Sequence, residues 1–210
     1  MDKKNENNIL NFKIITVGDG SVGKTSIIRR LVYNNFLENT LNTVGMNMAH
    51  YKVTLQNNKI INLTIVDTAG QERYKSLGKK YFSNADGILF VFAHDNLESF
   101  ENIKDWMKIF EESSSSRIDI PKFLVGNKND LESEVDENLI DEFLNKNKSF
   151  KYKSTSAKKE EDNQIKELFQ ELGEDLYEDY KIYGNKKTKN IQLRDGNSEK
   201  KTCVLAKCLL

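Results

Sequence analysis

The segment Gly18-Asp-Gly-Ser-Val-Gly23-Lys24-Thr25 constrains this chain more than any other, because it stands between an apolar run and a helix-like one. Residues 12–17 before it read as a strand. Residues 26–33 after it place Ile27, Ile28 and Leu31 at helical spacing. Glycines there let consecutive backbone N–H groups turn inward around phosphate oxygens, and the following helix presents its positive end. In such a loop Lys24 reaches the β- and γ-phosphates, and the Thr25 hydroxyl binds Mg²⁺. The pattern predicts a nucleoside triphosphate site built from Gly18, Asp19, Gly20, Ser21, Val22, Gly23, Lys24, Thr25 and Ser26.

The rest of the chain alternates strand and helix patterns. Residues 51–55 and 60–66 read as strands around a turn-like 56–59, an antiparallel hairpin at one sheet edge. Residues 87–93 form an unbroken apolar run, as a buried parallel strand requires. Phe100, Ile103, Trp106, Met107 and Phe110 define a helix over 99–112. Residues 122–126 follow as a strand, 135–147 as a helix, 150–154 as a strand and 164–180 as a closing helix. This order predicts an α/β fold: a mostly parallel six-stranded sheet with helices on both faces.

Composition separates a body from a tail. The 210 residues carry 32 basic and 32 acidic side chains, a formal net charge of +0, which gives no support to nucleic-acid binding. Residues 181–210 hold eight basic side chains against two acidic ones, a surplus of six that the first 180 residues cancel. Both cysteines, Cys203 and Cys208, lie in that tail. Neither they nor His50 and His94 can assemble a structural metal cluster, and the compartment reads as reducing and cytosolic. The polar N-terminus has no apolar core of a secretory signal. We expect a disordered extension over 1–8, one domain over 9–180 and a flexible basic tail over 181–210.

Three more segments complete the pattern: Asp67-Thr-Ala-Gly-Gln-Glu72, Asn127-Lys-Asn-Asp130 and Thr155-Ser-Ala-Lys158, each directly after a predicted strand. With the phosphate loop and Thr43, they make the chain resemble a Ras-superfamily small GTPase over about residues 10–180. The resemblance implies GTP and GDP as ligands, with Mg²⁺ held by Thr25, Thr43 and, through water, Asp67. It implies that the Gly70 amide contacts the γ-phosphate, that Gln71 orients the attacking water, and that Lys24 and Thr43 complete the catalytic set. Asn127 and Asp130 would read guanine, since a carboxylate accepts from the ring N–H and the exocyclic amine together. Ser156, Ala157 and Lys158 would line the same end, with the Ala157 amide facing the guanine carbonyl. The Lys128 stem would pack over the base and Phe36 at its edge. The resemblance also implies that Gly20 leaves room beside Gln71 for an incoming arginine. Exchange factors, activating proteins and effectors would read loops whose order depends on the γ-phosphate.

Within the superfamily the chain most resembles the Rab branch, through Asp67–Tyr74, Tyr81-Phe82, the Glu98-Ser-Phe-Glu-Asn-Ile103 stretch and the long tail. It departs from Rab patterns at Met48, Val66 and Ala93, and of the aromatic triad that contacts Rab effectors only Tyr81 is aromatic. The resemblance implies vesicle-mediated transport and residence on the cytosolic face of an endomembrane. A Ras-like signalling role, or a GTP-bound interaction module with negligible turnover, stays open at this point. The tail departs from the usual prenylation endings. A prenyl group on Cys208, or on Cys203, would act with Lys200, Lys201 and Lys207 near anionic lipid; an unmodified solvated tail is the alternative.

Overall fold

The computed structural model describes residues 9–38, 46–68, 82–113, 117–159 and 163–198, with side chains through residue 184. Among these residues eleven elements follow in chain order: β1 (Leu10–Val17), α1 (Lys24–Tyr33), β2 (Met46–Thr54), β3 (Ile60–Thr68), β4 (Gly87–Ala93), α2 (Leu97–Glu101), α3 (Ile103–Ser113), β5 (Lys122–Asn127), α4 (Glu137–Lys146), β6 (Phe150–Ser154) and α5 (Gln164–Ser198). The strands form one six-stranded sheet in the order β2-β3-β1-β4-β5-β6. Only β2 runs antiparallel, pairing with β3 from Met46↔Thr68 to Thr54↔Ile60. The α/β architecture is the expected one, hairpin included.

Burial explains which elements carry the sheet. Every residue of β4 is buried, as a central strand covered on both faces demands. One face is aromatic: Phe82, Phe90, Phe92, Phe100, Phe110, Phe143 and Phe150 join one buried cluster with Ile15, Val17, Val66, Ile103 and Trp106. Their rings meet mostly edge to face, as in Phe90–Phe110 at 6.3 Å and Phe143–Phe150 at 5.3 Å. The start of α5 covers the other face. A Cβ at Gly87 would sit 3.1 Å from Leu176 and 3.3 Å from Ile14, so that helix lies close on the strands.

Three boundaries differ from the sequence expectation. Strand β2 starts at Met46, not residue 51, because its first half is an exposed edge held by backbone pairing and needs no apolar alternation. The helix expected over 99–112 is two, α2 and α3, joined at Asn102, whose N–H still reaches the Glu98 carbonyl. Helix α5 continues to Ser198, past residue 180, where the apolar spacing stops. Two compact units divide the chain, residues 1–176 and 177–210, and α5 runs through the division.

Candidate nucleotide site

Because β1 has parallel neighbours on both sides, β3 and β4, the sheet changes direction there and opens a crevice at the carboxyl ends of its strands. The phosphate loop leaves β1 at that end. Asp67 lies near the end of β3, Asn127 closes β5, and residues 155–158 follow β6. Topology alone therefore gathers four segments separated by up to 130 residues of chain.

The loop has the backbone geometry a phosphate cradle needs. Gly18 has φ +140°, and a Cβ there would fall 2.0 Å from the Val91 carbonyl oxygen. Gly23 has φ +94° and Ser21 φ +62°, so the backbone coils through left-handed conformations before α1 begins at Lys24. Lys24 is buried, and its ammonium donates to the Gly18 carbonyl at 2.8 Å and the Asp19 carbonyl at 2.6 Å. Burial pushes its pKa down to about 8, while Asp67 and Asp19 pull the other way.

Thr25 donates its hydroxyl to Asp67 Oδ2 at 2.7 Å. The other oxygen, Oδ1, is buried without a hydrogen-bond partner, and burial holds this carboxyl above the ordinary aspartate range. An orphaned carboxylate oxygen beside a hydroxyl is the oxygen donor set a hard divalent cation needs. Thr25 and Asp67 thus fit Mg²⁺.

Across the crevice the residues expected to read the base are locked to one another. The Asn127 amide donates to the Val22 carbonyl at 2.9 Å, and its Oδ1 accepts from the Ala157 N–H at 3.2 Å. One buried side chain therefore ties the phosphate loop to the segment after β6. The Ala157 amide, expected to face a guanine carbonyl, is engaged by Asn127, so a ligand carbonyl would share or replace that acceptor. Ser156 donates to Asp130 Oδ1 at 2.5 Å, fixing the carboxylate through one oxygen. Lys128, at φ +63°, pairs with Asp95 at 3.1 Å. Lys158 is exposed and pairs with Glu38 at 3.4 Å, and Phe36 is half-buried just beyond α1. Gly20 and Ser21 are exposed, and Ser26 lies in the first turn of α1.

Some positioning residues carry no motif. The Asp19 carboxylate accepts from Asn102 Nδ2 at 2.7 Å and from Trp106 Nε1 at 2.8 Å, which pins the phosphate loop to α3. Arg30 is buried in α1 and donates Nε to the Ala157 carbonyl at 2.8 Å and Nη2 to the Lys158 carbonyl at 3.2 Å. Trp106 reads in sequence as one more apolar helix position, and only its indole N–H hints at a polar partner. Thr43, Gly70, Gln71, Tyr81, Cys203 and Cys208 lie outside the described residues.

Known proteins match along the same span. The sequence model of the Ras family matches residues 13–178. Ras-related protein RabH of Dictyostelium discoideum is 34% identical over 194 residues, covering 91% of this chain and 95% of its own length. Ras-related protein Rab-13 of Bos taurus is 35% identical over 167 residues, 79% of each chain. Ras-related protein RABD2b of Arabidopsis thaliana is 37% identical over 123 residues, 59% of each chain.

Proposed function

Since the chain belongs to the Ras family, with relatives across its Rab branch, we propose that it binds GTP and GDP and hydrolyses GTP as a molecular switch in vesicle-mediated transport. The observation that carries this reading is the convergence of the phosphate cradle, the Thr25–Asp67 pair and the Asn127–Asp130 loop at one end of the sheet, with Asn127 bonded to both Val22 and Ala157.

In this reading the backbone of residues 18–25 wraps the phosphates, and Lys24 exchanges its two carbonyl partners for phosphate oxygens. Mg²⁺, held by Thr25, Asp67 and Thr43, would neutralise charge between the β- and γ-phosphates. Asp130, fixed by Ser156, accepts two guanine donors that adenine does not offer. Thr43 and Gly70 sense the γ-phosphate, and Gln71 orients water. Their loops relax after hydrolysis, and exchange factors, activating proteins and effectors read that difference.

The surface that Rab effectors read is altered here. Met48 is exposed beside its register partner Val66, which is fully buried in the aromatic face. Membrane contact would come from the basic tail and its cysteines. No helix among the described residues is long and apolar enough to cross a membrane.

The test is single-turnover hydrolysis of GTP by the wild type and Gln71→Leu, with ATP as competitor. We expect measurable GTP cleavage in the wild type, a loss of at least tenfold in the variant, and no competition by ATP. Equal binding of ATP and GTP, or a wild type as inert as the variant even with cell extract added, would sink the reading.

A further inference from the structure

His94 directly follows β4, and its ring is buried behind the base-reading loop. Its backbone N–H donates to the Asn127 carbonyl at 2.9 Å, and its carbonyl accepts from the Glu134 N–H at 2.8 Å. The ring itself has three polar neighbours, all at 3.2 Å: Ser133 Oγ at Nδ1, and Ser154 Oγ and the Tyr152 hydroxyl at Nε2.

These neighbours select one tautomer. Ser133 Oγ donates to the Val135 carbonyl at 2.9 Å, so towards the histidine it accepts, which places the ring proton on Nδ1. Nε2 then offers one lone pair to the two hydroxyls beside it, Tyr152 and Ser154, and accepts from one of them. Ser154 Oγ in turn accepts from Asn129 Nδ2 at 3.0 Å, in the middle of the 127–130 segment. Gly126 makes the space: a Cβ there would lie 2.6 Å from His94 Nε2 and 3.0 Å from the Tyr152 hydroxyl. One imidazole thus links the end of β4, the segment after the base-reading loop, and β6.

We propose that His94 is a positioning residue for guanine-nucleotide retention: its neutral ring holds residues 126–134 against β6, so that Asp130 and Ser156 keep the spacing that grips the base. This rests on the reading of that loop as the guanine site. A second ring proton, on Nε2, would remove that acceptor and oblige the hydroxyl bonded to it to turn round and accept. It would also place a charge in a buried pocket. Asp95 and Glu137 favour that charge, Lys128 on Asp95 opposes it, and Tyr152 and Ser154 bring none. Burial prevails and keeps the ring below the ordinary histidine range. The network is therefore intact above a pH of about 6.5 and loosens as pH falls further.

Release of fluorescent N-methylanthraniloyl GDP and IDP from the Mg²⁺-loaded full chain, followed from a pH of about 7.5 down to about 5.5, tests this. His94→Phe should release GDP about tenfold faster at the upper pH. IDP should change less, because it lacks the amine that Asp130 grips. His94→Gln can donate and accept but does not titrate. It should restore slow release and flatten the acid-side acceleration of the wild type. Unchanged GDP release in His94→Phe, or superimposable pH profiles for wild type and His94→Gln, overturns the proposal. If His94→Phe does not fold, the His94→Gln profile alone decides. A wild type that binds no guanine nucleotide refutes the function reading itself, whereas tight binding with unchanged release refutes only the role of His94.

Discussion

Lys24 shows how a single residue can be poised by its surroundings. Its ammonium is buried against two carbonyls of its own loop, and burial lowers its pKa from 10.5 to about 8. Without nucleotide, the unfolded chain binds this proton more tightly than the fold does. The fold therefore gains stability as pH rises from about 8 towards about 10.5, and the cost of the buried charge is fully present below that window. Phosphate oxygens at the same position would restore the charge. Calorimetry of GDP binding at a pH of about 8.5, in buffers of different ionisation enthalpy, should therefore detect proton uptake. Lys24→Met should abolish the alkaline gain in stability of the nucleotide-free protein. A stability profile identical in wild type and variant would show that Lys24 is not the titrating group. The sequence marked Lys24, Thr25 and Asp67 because their motif is contiguous or close to a strand end. It could not mark Asp19–Trp106 or Arg30–Ala157, whose partners lie 87 and 127 residues apart and meet only through the fold.

Among the elements, the junction of β4 and α2 shows where local chemistry decides a boundary. Asn96 caps α2 by accepting from the Ser99 N–H at 2.9 Å, and Ser99 is itself buried. The Ser99 hydroxyl accepts from the Ala93 N–H at 3.0 Å and donates to the Asn96 carbonyl at 2.7 Å. Ser99→Ala would leave the Ala93 donor buried and unpaired, so urea unfolding should show a loss of about 2 kcal/mol. A loss within error of zero would mean that the backbone finds another acceptor. Ala93 is also where the chain departs from common Rab usage, and this hydroxyl satisfies its N–H. Elements with buried faces were legible in advance: β4, β5 and the start of α5 announce themselves through apolar runs or spacing. The first half of β2 did not, since its residues face solvent and only their pairing with β3 makes a strand. Nor did the break at Asn102, where one residue separates two helices that the apolar pattern treats as continuous.

Over the whole molecule, charge and architecture divide the chain in similar places. Residues 1–176 form the unit that holds the sheet and every described site residue. The basic surplus of six belongs to residues 181–210, together with both cysteines. A single lipid chain gives only marginal membrane binding, and a basic segment supplies the second attraction. The intact mass of protein isolated from its own cells should therefore exceed the sequence mass by at least one isoprenoid group, lost in Cys208→Ser or Cys203→Ser. An unmodified mass would show that neither cysteine carries a lipid.

Trp106 is the only tryptophan in the chain, and its indole N–H is bonded to Asp19 inside the phosphate loop. Under the proposed function, a shift of that loop on loading would reach this indole through Asp19. Its ultraviolet emission would then gauge loading and release on unlabelled, unmutated material.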